Sequence, residues 1–454
     1  MYYWMYNIVL HLALPVIAGL LCVQKRLKRG FKTRFGFLDS NLRELPHPVI
    51  WVHAVSLGEA LAAIPLLRGL KHMWPQGTLV VSTVTETGKE VVSRQLDGIA
   101  LHCYAPLDFP WAVNRYLQRL NPFLFILMES ELWPNLLRAL YLRQVPTCLV
   151  NGRISSKSFS RYQLVQGFMR QVFGYLDLAL VQSERDEQRM VALGASPDHV
   201  QVTGNMKFDQ LSEQVGQDSV ALISRQELGL ESNEILWVAG STHEREELEI
   251  LEAYREVVRA YPQLVLLLAP RHIERIVQVE KVIRGLDLVC FRRSLLSVQS
   301  MSSFSAHGPR VIILDTRGEL ARIYGLGVVG FVGGTLVPVG GHNLLEPAQW
   351  GKPVLFGPFT DHCRDMAQLL IDQGGGFQVQ DRQGLVEQMK GFLANPVRTG
   401  EIGRLASAAV QQRRGVVPVN LQKIRELVSQ HNVPRKKSRS QAEAVSAASQ
   451  SIMK

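Results

Sequence analysis

The run GGTLVPVGGHNLLEP, Gly333–Pro347, sets two glycine pairs ahead of His342, Asn343 and Glu346. Paired glycines let a second backbone or a ligand approach closely. The residues after Gly341 read as a helix start, whose free N–H groups favour a phosphate, the dipole adding about 0.3–2 kcal/mol. Glu346 follows Asn343 by three residues. Its carboxylate can close a capping box or accept hydrogen bonds from ribose hydroxyls, and the residue types leave both open. The run matches neither a P-loop nor a GxGxxG fingerprint. Comparable clusters recur at Ser56-Leu57-Gly58-Glu59, Glu129-Ser130-Glu131, Asn151-Gly152-Arg153 and Asn205-Met206-Lys207-Phe208-Asp209, then at Ser241-Thr242-His243-Glu244, Pro270-Arg271-His272 and Asp315-Thr316-Arg317-Gly318-Glu319. Arg271 suits a phosphate or carboxylate, because a guanidinium forms paired hydrogen bonds. Taken singly, Glu59 reads as a first-turn helix carboxylate and Lys207 as a solvated surface group. His272 and His342 invite a metal, but no HxxxH or Asp/His cluster accompanies them, and no metal is expected.

These clusters stand where short apolar runs end. The runs are PVIWVHAV (48–55), TLVVSTVT (78–85), FLFILMES (123–130), TCLVNG (147–152), LALVQS (178–183) and VQVTGN (200–205). A polar stretch from Asp209 to Ser224 interrupts them, and they resume with EILWVAGST (234–242), QLVLLLAP (263–270), VIILDT (311–316), VVGFVGG (328–334) and PVLFGP (353–358). Amphipathic stretches lie between, such as GEALAAIPLLRGLKHM, 159–173 and 245–260. Near-continuous apolar strands alternating with helices predict parallel sheets covered on both faces. The expected fold is α/β, with two tandem Rossmann-like domains joined near residue 220. Ligands of such sheets bind beyond the carboxyl ends of the strands. Capping explains two or three polar strand ends; so many, with both signs of charge, point to a cleft between the domains.

A chain of 454 residues exceeds one ordinary core and predicts two domains. The net charge of +10 calls for an anionic partner. The basic residues form no aromatic-interleaved patch outside the two termini, so nucleic acid is not expected. Cys22, Cys103, Cys148, Cys290 and Cys363 are scattered without a CxxC pair, which gives neither a disulfide framework nor a zinc site and fits a reducing compartment. From Tyr2 to Val23 there is no Asp, Glu, Lys or Arg and His11 is the one basic side chain, and Lys25, Arg26, Lys28, Arg29, Lys32 and Arg34 follow. An apolar run of about 20 residues spans a bilayer, and trailing basic residues stay on the cytoplasmic side. Residues 1–24 are therefore expected to anchor the chain, spanning the membrane or lying in its interface, with a core helix as the other reading. The remaining boundaries are 25–220 and 221–430 for the two domains and 431–454 for a basic, then Ala/Ser/Gln-rich, disordered tail.

HAVSLGE, MESELWPN, GNMKFD, GSTHE, APRH, DTRGEL and FVGGTLVPVGGHNLLEPA occur in this order. With them the chain resembles the Kdo transferases of Gram-negative bacteria, from its N-terminus to about residue 425. The resemblance implies a membrane-anchored, inverting glycosyltransferase of the GT-B fold that moves 3-deoxy-D-manno-octulosonic acid (Kdo) from CMP-Kdo to a lipid A precursor. It would act on the cytoplasmic face of the inner membrane, without cofactor or metal. It implies Glu59 as proton acceptor, Glu129 and Lys207 as stabilisers of the transition state, and a CMP site at Pro270, Arg271, Arg317, Gly318, Glu319, Asn343, Leu344, Leu345 and Glu346. Domain closure would bring the donor to Glu59. Arg317 and Arg245 depart from the family pattern, where an uncharged residue and a glycine are common. A nucleotide-sugar epimerase of the same fold and a non-catalytic, membrane-tethered nucleotide-binding protein are the competing readings.

Overall fold

The computed structural model describes residues 2–15, 19, 30–39, 42, 44–209, 223–296 and 309–431. Lys25, Arg26, Lys28 and Arg29, the junction at 210–222 and the tail from 432 lie outside them. The chain forms two compact units, one of 1–210 with 415–454 and one of 211–414.

The first unit opens with α1 (Tyr2–Leu12) and α2 (Phe31–Arg34), then alternates β1 (Val49–His53), α3 (Leu57–Met73), β2 (Thr78–Thr83), α4 (Glu86–Gln95), β3 (Ala100–Tyr104), α5 (Pro110–Leu120) and β4 (Leu124–Met128). There follow α6 (Pro134–Leu142), β5 (Thr147–Gly152), α7 (Ser156–Gln163), α8 (Gln166–Phe173), β6 (Leu178–Val181), α9 (Glu184–Ala192) and β7 (Val200–Val202). The strands form one parallel sheet in the order β3-β2-β1-β4-β5-β6-β7. Strand β1 and strand β4 are buried at every position, because helices cover both faces. The order reverses between β1 and β4, so their carboxyl ends flank a topological switch point, the usual ligand position of such sheets.

The second unit runs β8 (Ile235–Thr242), α10 (Glu246–Val257), β9 (Leu264–Pro270), α11 (Ile276–Gly285), β10 (Val289–Arg292), β11 (Arg310–Ile313), α12 (Leu320–Ile323) and β12 (Val329–Val332). It closes with α13 (Leu345–Ala348), β13 (Val354–Phe356), α14 (Arg364–Asp372), β14 (Gly376–Gln378), α15 (Arg382–Ala394) and α16 (Pro396–Gln411). Its parallel sheet has the order β10-β11-β9-β8-β12-β13-β14, with the switch point between β8 and β12. Two parallel-sheet α/β units match the expected fold class. The strands missing from the sequence reading, β3, β10 and β14, are all sheet edges, where half-exposure breaks the apolar run.

Three expectations change. The sequence pattern puts residues 415–430 in the second domain, but α17 (Val416–His431) packs on the first unit. Its Val416, Val417, Ile424, Leu427 and Val428 join the core around α3 and β1, and the Asp209 carboxylate accepts the N–H groups of Gly415 (2.7 Å) and Val417 (2.5 Å). An amphipathic pattern says that a helix is covered, not by which sheet. Residues 159–173 divide at Leu164-Val165 into α7 and α8.

The spanning anchor helix over 1–24 is not found either: α1 ends at Leu12, and no helix among the described residues is long and apolar enough to cross a membrane. Three of its polar side chains, those of Tyr3, Tyr6 and Asn7, bond to the rest of the first unit. Tyr3 donates to Pro134 O (2.6 Å) and Tyr6 to Asp108 Oδ2 (2.9 Å). The side-chain amide of Asn7 exchanges hydrogen bonds with that of Asn135 at 3.1 and 2.7 Å.

Candidate active site

On the first unit, Ser56 caps α3 and its hydroxyl accepts the Glu59 N–H at 3.4 Å. Glu59 reaches back: Oε2 accepts the Val55 N–H at 2.8 Å and Oε1 the Ser56 hydroxyl at 3.1 Å. This resembles a capping box, with the reach extended to the residue before the N-cap, and it fits the first-turn helix carboxylate read from the sequence. The same carboxylate is only 8 % exposed. Burial, reinforced by Glu129, pushes its pKa up to about 7, against the pull of these hydrogen bonds. A helix start alone would keep it ionised; desolvation outweighs that.

Glu129 follows β4 with φ +55°, a left-handed conformation that turns its side chain out of strand register. Lys207 Nζ lies 3.9 Å from its Oε1 and Arg153 Nε 3.7 Å from its Oε2. Glu131 is also raised, by burial and by Glu129. The structure thus gathers Glu59, Glu129, Glu131, Lys207 and Arg153 at the β1/β4 switch point. Of these, Glu129 and Lys207 form a pair that sequence spacing could not reveal, and Arg153 is an addition to it. Such a cluster can take a proton from a hydroxyl and hold charge of either sign.

On the second unit, the glycine run folds onto itself. Gly340 and Gly341 donate to one carbonyl, that of Gly334, at 3.1 and 2.8 Å. The buried Glu246 carboxylate accepts N–H groups from Gly334 (2.6 Å), His243 (2.6 Å) and Leu336 (3.3 Å). These amides are consequently spent on the loop rather than left for a ligand. Gly341 has φ +82°, and an added Cβ there would meet Cys363 Sγ at 2.6 Å. A Cβ on Gly333 would meet Ser241 O at 2.5 Å. The glycines serve closure and close backbone approach. Glu246 was missed in the sequence, although it stands three residues after His243, the spacing at which a carboxylate reaches back to a helix start.

The helix after the run is shorter and later than expected. It is the single turn α13, and Asn343 Oδ1 accepts the Leu345 N–H at 3.2 Å. Leu344 and Leu345 are fully buried, so neither presents a side chain to a ligand. Glu346 is raised to about 7 by burial, opposed by Asn343 and Arg271; it caps no backbone N–H among the described residues. His243 and His342 meet Nε2 to Nε2 at 2.8 Å with rings 7° apart, and His272 stands edge-on to His243. Burial and neighbouring cations hold both members of the pair below the ordinary histidine range, His342 at about 4, so near neutral pH they offer hydrogen bonds and not charge. Among the described residues no group of three or more His, Cys, Asp or Glu is arranged to hold a metal ion.

Pro270 is buried at the end of β9, and the exposed Arg271 follows, its N–H bonded to Thr242 O at 2.8 Å. Arg317 and Gly318 are exposed in the turn before α12, while Glu319 is tied to Arg293 at 3.2 Å and accepts the Thr316 hydroxyl. From there the chain runs back over the switch point. A Cβ on Gly240 of β8 would meet Leu320 Cδ1 at 2.9 Å, and Tyr324 donates to Phe331 O in β12 at 3.2 Å.

The family model described as 3-deoxy-D-manno-octulosonic-acid transferase (kdotransferase) matches residues 29–210. A 3-deoxy-D-manno-octulosonic acid transferase of Haemophilus influenzae is 32% identical over 427 residues, 92% of this chain and 96% of the relative. One of Bordetella pertussis is 32% identical over 374 residues, 79% and 82% of the two chains. Among solved structures, the UDP-GlcNAc 2-epimerase of Neisseria meningitidis aligns over 83% of this chain and 99% of its own, with a TM-score of 0.57 at 14% identity. That likeness is one of fold alone, the two-unit GT-B-like arrangement, and gives the epimerase reading no support in chemistry. Sequence identity carried through both units, with the expected motifs at both switch points, settles the matter: the chain belongs to the 3-deoxy-D-manno-octulosonic acid (Kdo) transferases and is a glycosyltransferase.

Proposed function

We propose that the chain moves Kdo from CMP-Kdo to a hydroxyl of a lipid A precursor in a single displacement with inversion, Glu59 acting as the base. The observation that carries this reading is the buried Glu59 carboxylate, its pKa raised to about 7 beside Glu129. A general base works best with a pKa near the working pH. The acceptor oxygen attacks the anomeric carbon as its proton passes to Glu59. The bond from that carbon to the phosphate oxygen breaks, and CMP leaves with the electron pair. Lys207 meets the growing negative charge on the leaving phosphate, and Glu129 orients Lys207 and supports positive charge on the sugar ring.

The CMP half is assigned to the second unit. Arg271 grips phosphate or carboxylate, Arg317, Gly318 and Glu319 form a second contact, and Asn343 and Glu346 face the ribose and phosphate. Pro270, Leu344 and Leu345, all buried, support these contacts from beneath. Cationic side chains neutralise the phosphate in this reading, so the reaction runs without a resident metal.

The chain works at the cytoplasmic face of the inner membrane, held there by α1 lying in the interface. Two observations support this. The face of α1 turned from the protein carries Trp4, Met5, Ile8, Val9 and Leu12, all exposed, as an interfacial helix requires. Leu164 (86 %) and Val165 (48 %) add exposed apolar surface one turn from Phe168, whose ring contacts Tyr2, Tyr3 and Tyr6 of α1.

The test is a transfer assay on the full chain in detergent, with CMP-Kdo and a tetra-acylated lipid A precursor, read by mass spectrometry with and without chelator. Wild type should yield the Kdo-lipid in both conditions and Glu59→Gln almost none. No product from wild type would refute the transfer, an active Glu59→Gln would remove the base, and a loss with chelator would overturn the metal-free reaction.

A further inference from the structure

Asn151, next to last in β5, is fully buried with φ +58°. Register between β5 and β6 shifts between Leu149 and Gly152, and such irregularities re-aim side chains at strand ends. From there hydrogen bonds run across three strand ends. Asn151 Oδ1 accepts the Met206 N–H at 3.0 Å, and Asn151 O accepts Gln182 Nε2 at 3.0 Å. Gln182 Oε1 accepts Asn205 Nδ2 at 3.1 Å, and Asn205 Oδ1 accepts the Lys207 N–H at 3.0 Å. This ring fixes the backbone on both sides of Met206 and so sets where Lys207 leaves it. The Val150 carbonyl, next to Asn151, accepts the Glu129 N–H at 3.0 Å. Lys207 and Glu129, 3.9 Å apart at their charged ends, thus hang from neighbouring points of one residue pair.

The residue type fits that task more narrowly than packing would ask. A left-handed φ favours Gly, Asn or Asp. An acceptor is needed for Met206, which excludes Gly. Asp would add a carboxylate to a sheet end that already holds Glu59, Glu129 and Glu131. Among the described residues Asn151 Nδ2 is buried without a partner, a cost of about 1–3 kcal/mol that a residue kept for packing alone would avoid.

We infer that Asn151, with Gln182 and Asn205, is a positioning residue of the transfer reaction, acting through Lys207 and its pairing with Glu129. This rests on the reading that Lys207 serves the transition state. The experiment is a double-mutant cycle in the transfer assay on the full chain, with Asn151→Gly and Lys207→Ala, separating kcat from KM and recording Tm. Asn151→Gly should lower kcat about ten- to a hundredfold, as a misplaced catalytic group does, with KM within about twofold. In the Lys207→Ala background it should cost almost nothing more, since coupled residues are not additive. Asn151→Asp keeps the acceptor for Met206 but adds a carboxylate to that sheet end, so it should recover part of the loss and move the pH profile upward. Asn205→Ala cuts the ring at the Lys207 N–H and should show the same non-additivity, which keeps the test open if Asn151→Gly does not fold. Losses that multiply, or a fall in Tm with kcat unchanged, would overturn the positioning role. Full activity in Lys207→Ala alone would instead refute the reading of Lys207 and this inference with it.

Discussion

Glu59 carries two tasks that pull its proton affinity in opposite directions. As a cap it accepts hydrogen bonds from Val55 and Ser56, which favour the carboxylate, while burial and Glu129 favour the protonated form and win, holding it at about 7. If Glu59 is the base, kcat rises with pH, falling about tenfold for each pH unit below 7 and levelling above it. A pH–rate profile of the transfer measures this, and a flat profile from pH 5 to 8 would exclude the group. Stability has the opposite slope. The folded state holds the proton more tightly than the unfolded chain, whose value is near 4.5, so the contribution is whole below 4.5 and is lost as pH rises through 7. Glu59→Gln removes that dependence. Wild type should lose up to about 3 kcal/mol relative to the variant between those limits, at about 1.4 kcal/mol for each pH unit crossed, as read by urea unfolding at a series of pH values. Function and stability then separate at one residue: the proton whose departure makes a base is the one whose presence favours the fold.

The glycine run behaves as an element in its own right, stitched by Glu246 rather than by a helix. Two substitutions distinguish its glycines from an ordinary turn glycine. Gly341→Ala combines φ +82° with a Cβ 2.6 Å from Cys363 Sγ, whereas Gly318→Ala has φ +86° and open space around it. The second should cost about 1–2 kcal/mol from conformation alone. The first should cost more, by the about 1–3 kcal/mol that overpacking adds; equal Tm shifts in thermal melts would refute the closed loop. The sequence displayed the glycines but not their partner, because a carboxylate 87 residues upstream, at Glu246, has no local signature beyond its spacing from His243. The same limit applies elsewhere. Central strands such as β1 and β4 were legible because burial on both faces makes them continuously apolar. Edge strands β3, β10 and β14 were not, and neither was the return of α17 to the first unit, which depends on Asp209 accepting from Gly415 and Val417. At the candidate site, residue types at strand ends were readable as positions. Their conformation was not: the left-handed φ of Glu129 and Asn151 is fixed by tertiary contacts.

At the scale of the whole molecule, the proposed membrane attachment would draw on two additive forces, the second of them favoured by a net charge of +10. One is apolar. On α1 the positions 4, 5, 8, 9 and 12 are exposed while 3, 6 and 7 face the first unit, the spacing of a helix with one side on protein and the other free. Trp4 and Leu12 are each 75 % exposed, and burying such a side chain in the interface gains about 1.5–3 kcal/mol. The other force is electrostatic, about 1 kcal/mol per basic residue close to an anionic surface and screened by salt. Sedimentation of the full chain with vesicles of mixed neutral and anionic lipid separates them. Trp4→Gln with Leu12→Gln, which removes apolar surface without adding charge, should weaken binding at least tenfold at every ionic strength, with Tm unchanged because neither side chain is buried. Raising salt should weaken the wild type and the variant by the same factor. If salt alone abolishes binding and the double variant binds like wild type, α1 is no interfacial helix, and the exposed face on the first unit must serve something other than the bilayer.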